Sequence, residues 1–149
     1  MRIAFYQPDI AGNVGTILRT AACLGVGVDL IEPMGFAFSD RALGRAGMDY
    51  VPAAIVTRHA DWIAFEAQVT GRIVLLTTRG GERLDTVRFD ANDVLLMGSE
   101  GSGVPADVHA RAELAVRIPL VPGMRSLNVA VATGIALGEA LRQTGGYPA

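Results

Sequence analysis

Largely apolar runs alternate along the chain with stretches whose apolar residues recur at helical spacing. Five of the largely apolar runs predict β-strands. The predicted strands are Ile3–Tyr6, Val28–Ile31, Ile73–Thr77, Val94–Met97 and Leu114–Ile118. Alternation of strands with helices is typical of an α/β fold with a mostly parallel sheet flanked by helices. Since 149 residues suit one compact domain, we expect a single domain over residues 1–149.

Two helices are predicted in the first half of the chain. Apolar residues recur at helical spacing from Val14 to Leu24, where Asn13 would cap the N-terminus and Gly25 would end the helix. A second helix is expected over His59–Gln68.

The last predicted helix is apolar on nearly every face. It is expected to begin near Ser126, which would cap it, and to run to about Gln143. A helix that is apolar all round must be buried all round. Because little chain is left to cover it, a second subunit is the favoured neighbour. The alternative is a central helix covered by loops of its own chain.

Composition and charge narrow the class of protein without deciding it. Half of the residues are hydrophobic, yet no stretch approaches the roughly 18 uninterrupted apolar residues of a membrane span. The first residues lack the apolar stretch of a signal peptide, and the single Cys23 excludes an intrachain disulfide. These features favour the cytoplasm. A net charge of −2 argues weakly against nucleic acid. The 13 basic residues are all arginine, which suits phosphate recognition, but a bias toward GC-rich codons explains this usage at least as well, so it favours neither reading.

The first segment with chemical potential follows the first strand. Pro8, Gly12 and Asn13 form a turn that opens a helix, whose N-terminal amides could hold an anion. Arg19 lies in the second turn, off the apolar stripe. The alternative is a capped helix with a solvated arginine. Gly12 and Gly15 do not form a dinucleotide-binding fingerprint.

The second segment is a glycine-rich loop after the fourth predicted strand. Gly98, Gly101 and Gly103 would let the backbone approach a ligand closely. Glu100 within the loop would repel a phosphate, so a neutral or cationic ligand fits better than a nucleotide phosphate. The alternative is an ordinary turn.

The third segment runs from Arg117 to Asn128 and holds two prolines and a glycine. Asn128 is a polar residue at the head of an apolar helix, where it needs hydrogen-bond partners. The alternative is a rigid connector. His59 and His109 lack metal-ligand spacing, so no metal site is expected.

Together these three segments resemble the signature motifs of the SPOUT superfamily of methyltransferases, in its TrmH-like branch. The match extends over nearly the whole chain. Its most specific parts are Ile31–Phe36, which reads IEPMGF, and Arg45–Tyr50, which reads RAGMDY. Within that branch the chain is most similar to the enzymes that methylate the wobble nucleotide of tRNA.

The resemblance implies a fold, a cofactor and a reaction. It implies a C-terminal trefoil knot that binds S-adenosyl-L-methionine, and a homodimer formed through the first and last helices. It also implies transfer of the methyl group to the ribose 2′-OH of the wobble nucleotide, a cytidine or modified uridine at position 34 of the tRNA anticodon stem-loop. The second product would be S-adenosyl-L-homocysteine.

The resemblance also assigns roles to individual residues. The catalytic set is Arg19, Asn13, Asn128 and Ser126. The cofactor-binding set is Leu76, Thr77, Gly98, Glu100, Gly103, Ile118, Leu120, Ser126 and Leu127. Arg41, Arg45, Arg79 and Arg125 are candidate RNA contacts. Because arginine stays protonated at neutral pH, our hypothesis is that Arg19 holds a phosphate and polarises the hydroxyl, across the dimer.

The chain departs from the family pattern at two positions, which bear on substrate preference. Ser102 stands where many relatives carry an arginine, and Gly138 where they often carry an aromatic residue. Three alternatives remain open. They are a 2′-O-methyltransferase for another tRNA or rRNA site, a non-catalytic dimer that binds the cofactor or RNA, and an unrelated α/β nucleotide-binding domain.

Overall fold

The computed structural model of the protein describes residues 1–43 and 55–149. Arg45 and the RAGMDY segment therefore lie outside the described residues. The strands are β1 Arg2–Tyr6, β2 Gly27–Ile31, β3 Val56–His59, β4 Ile73–Leu76, β5 Glu82–Arg83, β6 Val94–Met97 and β7 Leu114–Arg117. The helices are α1 Ala11–Leu24, α2 Asp40–Leu43, α3 Trp62–Gln68, α4 Ala106–Arg111 and α5 Val129–Thr144.

The seven strands form one parallel sheet in the order β3-β2-β1-β6-β4-β7-β5. The predicted α/β class and all five predicted strands are confirmed, with ends shifted by at most one residue. Two edge strands were not predicted. β3 reads Val-Thr-Arg-His and lacks an apolar run, and β5 has only two residues.

Helices cover both faces of the sheet, and each face has its own apolar core. Side chains of alternate strand residues, such as Phe5 and Leu95, face α1 and α5. Their neighbours, such as Ala4 and Leu96, face α3 and α4, from which Phe65 and Val108 enter the core. The sheet is therefore the middle layer of three.

The ends of two helices correct the predicted capping. α1 begins at Ala11 after Ile10, so Asn13 lies inside the first turn and the prediction that it is the N-cap is wrong. Gly25 does end α1, with a φ of +68° that glycine adopts without strain. α3 begins at Trp62 because Asp61 accepts a hydrogen bond from the backbone N–H of Ala64 at 2.8 Å. The predicted start at His59 is wrong, since that residue ends β3.

The last helix also begins later than predicted. Asn128, and not Ser126, is the N-cap of α5, because its side-chain oxygen accepts from the backbone N–H groups of Ala130 and Val131. One stripe of α5 has no cover within the described part of the chain, where Val131 is 53% and Ile135 is 43% exposed. None of the helices in the described ranges is long and apolar enough to cross a bilayer.

Candidate functional site

Sheet register brings the three sequence segments to one edge. In register, Phe5 of β1 and Leu76 of β4 both lie opposite Met97 of β6, and Leu76 also lies opposite Val116 of β7. The residues that follow these four strands therefore emerge side by side. The carboxyl edge of a parallel sheet, next to the point where strand order reverses, is where ligands of such folds bind.

A cavity of about 800 Å³ lies at this edge, within the range of small-molecule sites. All nine residues of the predicted cofactor-binding set line it: Leu76, Thr77, Gly98, Glu100, Gly103, Ile118, Leu120, Ser126 and Leu127. Asn13, Asn128, Arg79 and Arg125 line it as well. The structure thus brings these residues together, while their roles stay predictions.

The glycine-rich loop folds back on itself tightly. The backbone N–H of Ser99 donates to the carbonyl of Gly103 at 3.0 Å, and the N–H of Gly103 donates to the carbonyl of Ser99 at 2.8 Å. Gly103 has a φ of +67°, and a Cβ on Gly98 would lie 2.8 Å from backbone atoms of Gly103. Glycine at these two positions is therefore required by the fold of the loop.

Glu100 directs its carboxylate to the start of α1. One oxygen accepts from the backbone N–H of Asp9 at 2.7 Å, and the other accepts from the N–H of Ile10 and the side-chain amide of Asn13. A carboxylate at this position satisfies free amides and opposes the positive end of the helix dipole. Part of Glu100 still lines the cavity, but both of its carboxylate oxygens accept hydrogen bonds from groups at the start of α1. The expectation that the loop suits a neutral or cationic ligand stays a prediction.

Two asparagines connect the loop to the last helix. The side-chain N–H of Asn128 donates to the side-chain oxygen of Asn13 at 3.0 Å, and Asn13 in turn donates to Glu100 at 3.2 Å. The oxygen of Asn128 accepts from the first N–H groups of α5. A continuous chain of hydrogen bonds thus joins α5, α1 and the glycine-rich loop.

Arg19 and Arg41 stand apart from this cavity. Both are exposed, Arg19 on α1 and Arg41 on α2, and neither belongs to the cavity wall. The chain's own cavity thus takes in Asn13, Asn128 and Ser126 of the predicted catalytic set, and leaves Arg19 outside.

Some residues of the cavity wall were missed by the sequence analysis as site residues. Ile10, His109 and Ala132 all line the cavity, although only His109 was considered, as a metal ligand. Their types carry no signal, and only their positions after β1, β6 and β7 could have suggested them. No group of three or more His, Cys, Asp or Glu suited to a metal ion occurs in ranges 1–43 and 55–149.

Comparison with known proteins gives one family over most of the chain. The SpoU rRNA Methylase family matches residues 1–138. A tRNA (cytidine(34)-2′-O)-methyltransferase of Beijerinckia indica is 52% identical over 146 residues, covering 96% of this chain and 91% of that protein.

Solved structures agree with the sequence comparison. One from a study of the 2′-OH methylation of C/U34 on tRNA has a TM-score of 0.90 and 41% identity, covering 95% of this chain and 94% of that chain. An AdoMet-bound rRNA methyltransferase of Sinorhizobium meliloti has a TM-score of 0.83 and 34% identity, covering 95% and 55% respectively. The similarity includes all three segments that line the cavity.

Proposed function

The chain belongs to the SpoU rRNA Methylase family, and from this we propose that it transfers a methyl group from S-adenosyl-L-methionine to the ribose 2′-OH of the wobble nucleotide, a cytidine or modified uridine at position 34, in a tRNA anticodon loop. The observation that carries the proposal is the cavity, in which all nine residues of the predicted cofactor-binding set meet. The tRNA-modifying relative supports tRNA as the substrate, at 52% identity over nearly its whole length.

The cavity has the features that this methyl donor needs. Its volume of about 800 Å³ suits a nucleoside-sized molecule, and Leu76, Ile118 and Leu120 supply apolar wall for the adenine ring. Gly98 and Gly103 of the tightly folded loop line the cavity, so their backbone groups would be within reach of the ligand. The donor would supply a methyl group activated by its sulfonium sulfur. The AdoMet-bound relative supports this assignment.

In the reaction the acceptor 2′-oxygen would form a bond to the methyl carbon as the bond from that carbon to sulfur breaks, so that S-adenosyl-L-homocysteine leaves and the hydroxyl proton is released to solvent. The acceptor oxygen must be held in line with the methyl group. Alignment of the reacting atoms supplies much of the rate. We propose that Arg19 contacts the phosphate beside the acceptor ribose and polarises its hydroxyl, because a guanidinium is a bidentate phosphate ligand and stays protonated. Asn13 and Asn128 hold α1 and the cavity wall in a fixed relation through their hydrogen bonds. Ser126 lies on the cavity wall.

A homodimer would bring Arg19 to a cavity. Arg19 is exposed on α1, and α1 packs beside α5 on the same face of the sheet. We propose that the exposed stripe of α5 and the outer face of α1 meet the same surfaces of a second copy. Each Arg19 would then serve the cavity of the partner subunit.

The exposed stripe of α5 allows a direct test of the dimer. Ile135→Glu would put a carboxylate into an apolar interface, where its desolvation is not compensated, so we expect a monomer by size-exclusion chromatography with light scattering. Ile63→Glu is the matched control, since Ile63 is 75% exposed on α3, on the opposite face. A dimer that survives Ile135→Glu would contradict this interface.

The remaining parts of the proposal concern chain path and RNA contacts. We propose that the segments after β6 and β7 form the trefoil knot, supported by the position of both strands beside β4 and by the likeness to other family structures. We propose Arg79 and Arg125 as RNA phosphate contacts because both are exposed at the cavity, and Arg41 as a more distant one. Arg45, outside the described residues, stays a proposal from sequence.

One experiment tests reaction, substrate and site together. Purified protein is incubated with labelled S-adenosyl-L-methionine and tRNA from a strain that lacks the corresponding gene, and the methylated nucleoside is mapped by mass spectrometry. We expect a 2′-O-methyl group at the wobble position. Wild-type tRNA, already methylated there, is the control and should accept little label.

Other outcomes of this experiment select between the alternatives. A methyl group at a different nucleotide, or on rRNA alone, would favour another RNA site, as the rRNA-modifying relative suggests. Binding of the methyl donor by a folded dimer without any transfer would favour a non-catalytic RNA-binding protein.

A further inference from the structure

The carboxylate of Asp9 binds the glycine-rich loop from the neighbouring segment. Its Oδ2 accepts from the hydroxyl of Ser99 at 2.6 Å and from the backbone N–H of Gly101 at 3.1 Å. Ser99 is only 8% exposed, so its hydroxyl has little access to water. Without Asp9 this buried donor would lose its acceptor.

Glu100 makes the reverse connection, so each segment contributes a carboxylate that accepts hydrogen bonds from the other segment. Asp9 receives donors from the loop, while Glu100 of the loop receives the backbone N–H groups of Asp9 and Ile10. Hydrogen bonds to an ionised carboxylate are shorter and stronger than neutral ones. We call this arrangement of Asp9, Ser99, Glu100 and Gly101 the carboxylate clamp.

The backbone around Asp9 leaves it little freedom. The N–H of Gly35 donates to the carbonyl of Pro8 at 2.9 Å, and a Cβ on Gly35 would lie 3.0 Å from the Cα of Asp9. Gln7 has a φ of +42°, the one positive φ at a non-glycine residue within ranges 1–43 and 55–149. Such strain persists where the surrounding structure enforces it. The chain turns sharply here, which carries Asp9 to the loop.

We propose that Asp9 is a positioning residue for the methyl donor, which holds the glycine-rich loop in its binding conformation without contacting the donor. Asp9 does not belong to the cavity wall, whereas Ser99, Glu100 and Gly101 do. The clamp therefore acts on the cavity through the loop. This inference rests on the proposed function, because it assumes that the cavity holds the donor.

The charge of Asp9 is stable under working conditions. The hydrogen bond from Ser99, followed by that from Gly101, lowers the pKa of Asp9 below its ordinary value of 3.8. Since the pKa is lowered in the folded protein, the clamp is complete above that ordinary value and is lost only as pH falls through the lowered pKa. The contribution of Asp9 to donor binding is therefore constant across neutral pH.

Asp9→Asn tests the proposal in the full-length protein. Binding of S-adenosyl-L-homocysteine is measured by isothermal titration calorimetry, and kcat is measured at saturating methyl donor. We expect Kd to rise roughly tenfold, as for loss of a charge-assisted hydrogen bond, while kcat changes by less than about threefold. Asp85→Asn is the matched control, an exposed carboxylate with a lowered pKa that lies away from the cavity. Its Kd should not change.

Ser99→Ala removes the same hydrogen bond from the other side, and it serves if Asp9→Asn does not fold. We expect its Kd to rise as well. Because both substitutions remove the same hydrogen bond, the loss of binding free energy in the double variant should be smaller than the sum of the two single losses. If the wild-type protein binds the ligand and both folded variants bind it with an unchanged Kd, the inference about Asp9 is overturned while the proposed function stands. Absence of binding by the wild-type protein would overturn the proposed function, and this inference with it.

Discussion

Arg19→Ala is expected to lower kcat for tRNA methylation by roughly a hundredfold or more, and to leave S-adenosyl-L-homocysteine binding unchanged. The physical reason is that Arg19 lies outside the cavity of its own chain and is proposed to face the RNA, not the donor, at the partner's cavity. Its proposed contact is with the RNA phosphate and the acceptor hydroxyl. Steady-state kinetics and calorimetry on the same preparation separate the two effects.

Arg19→Lys separates charge from geometry. A lysine keeps the positive charge but loses the planar, bidentate guanidinium, so we expect it to stay far below wild-type kcat. Arg83→Ala is the control, since Arg83 is an exposed arginine that pairs with Asp85 and lies outside both the cavity wall and the proposed interface. Full turnover by Arg19→Lys would contradict a role for guanidinium geometry.

Mixing two inactive variants tests whether Arg19 acts across the dimer. In a heterodimer of Arg19→Ala with a variant whose donor cavity is blocked, one of the two sites would hold both an intact cavity and an intact Arg19. Random exchange of subunits in a two-fold dimer should then restore about a quarter of wild-type activity. No recovery after confirmed exchange would mean that Arg19 serves its own subunit.

Gly98→Ala is the second change with a large expected effect. A Cβ at this position would lie 2.8 Å from the Cα and carbonyl carbon of Gly103, which are backbone atoms and cannot rotate away. The loop must shift, so we expect Kd for S-adenosyl-L-homocysteine to rise by roughly tenfold or more.

The matched control for this change is Gly12→Ala. A Cβ on Gly12, in the first turn of α1, would meet no heavy atom within 4 Å, so donor binding should stay as in the wild type. Circular dichroism and the melting temperature check that both variants fold. Wild-type affinity in folded Gly98→Ala would mean that the glycine-rich loop does not hold the donor.

The fold class and most of the strands could be predicted from local sequence patterns. Val94–Met97 was predicted residue for residue because a short apolar run between turns is typical of a strand buried on both faces. β3 was not predicted because its Thr57 and Arg58 are polar edge residues without that pattern. Pairing with β2, a long-range contact, makes it a strand.

The candidate site also has parts that local sequence predicts and parts that depend on long-range contacts. Glycines in the loop and the polar residue at the head of α5 are visible locally, so the cavity-lining segments could be predicted. The hydrogen bond between Asn13 and Asn128, and the use of Glu100 by α1, join residues far apart in sequence. No local pattern encodes such a pair. Capping by Asn128 displaced the predicted cap at Ser126 because Asn128 also has Asn13 as a partner.

Strand order has a consequence for biosynthesis. β1, an interior strand, pairs on one side with β2, which follows soon after, and on the other with β6, in a register that joins Arg2 to Val94. A ribosome-bound chain therefore holds β1 with one bare, apolar edge until β6 has emerged. Long-range parallel pairing forms slowly, and bare edges invite association with other chains. We expect nascent chains that stop before β6 to depend on chaperones, and released full-length chains to need them far less.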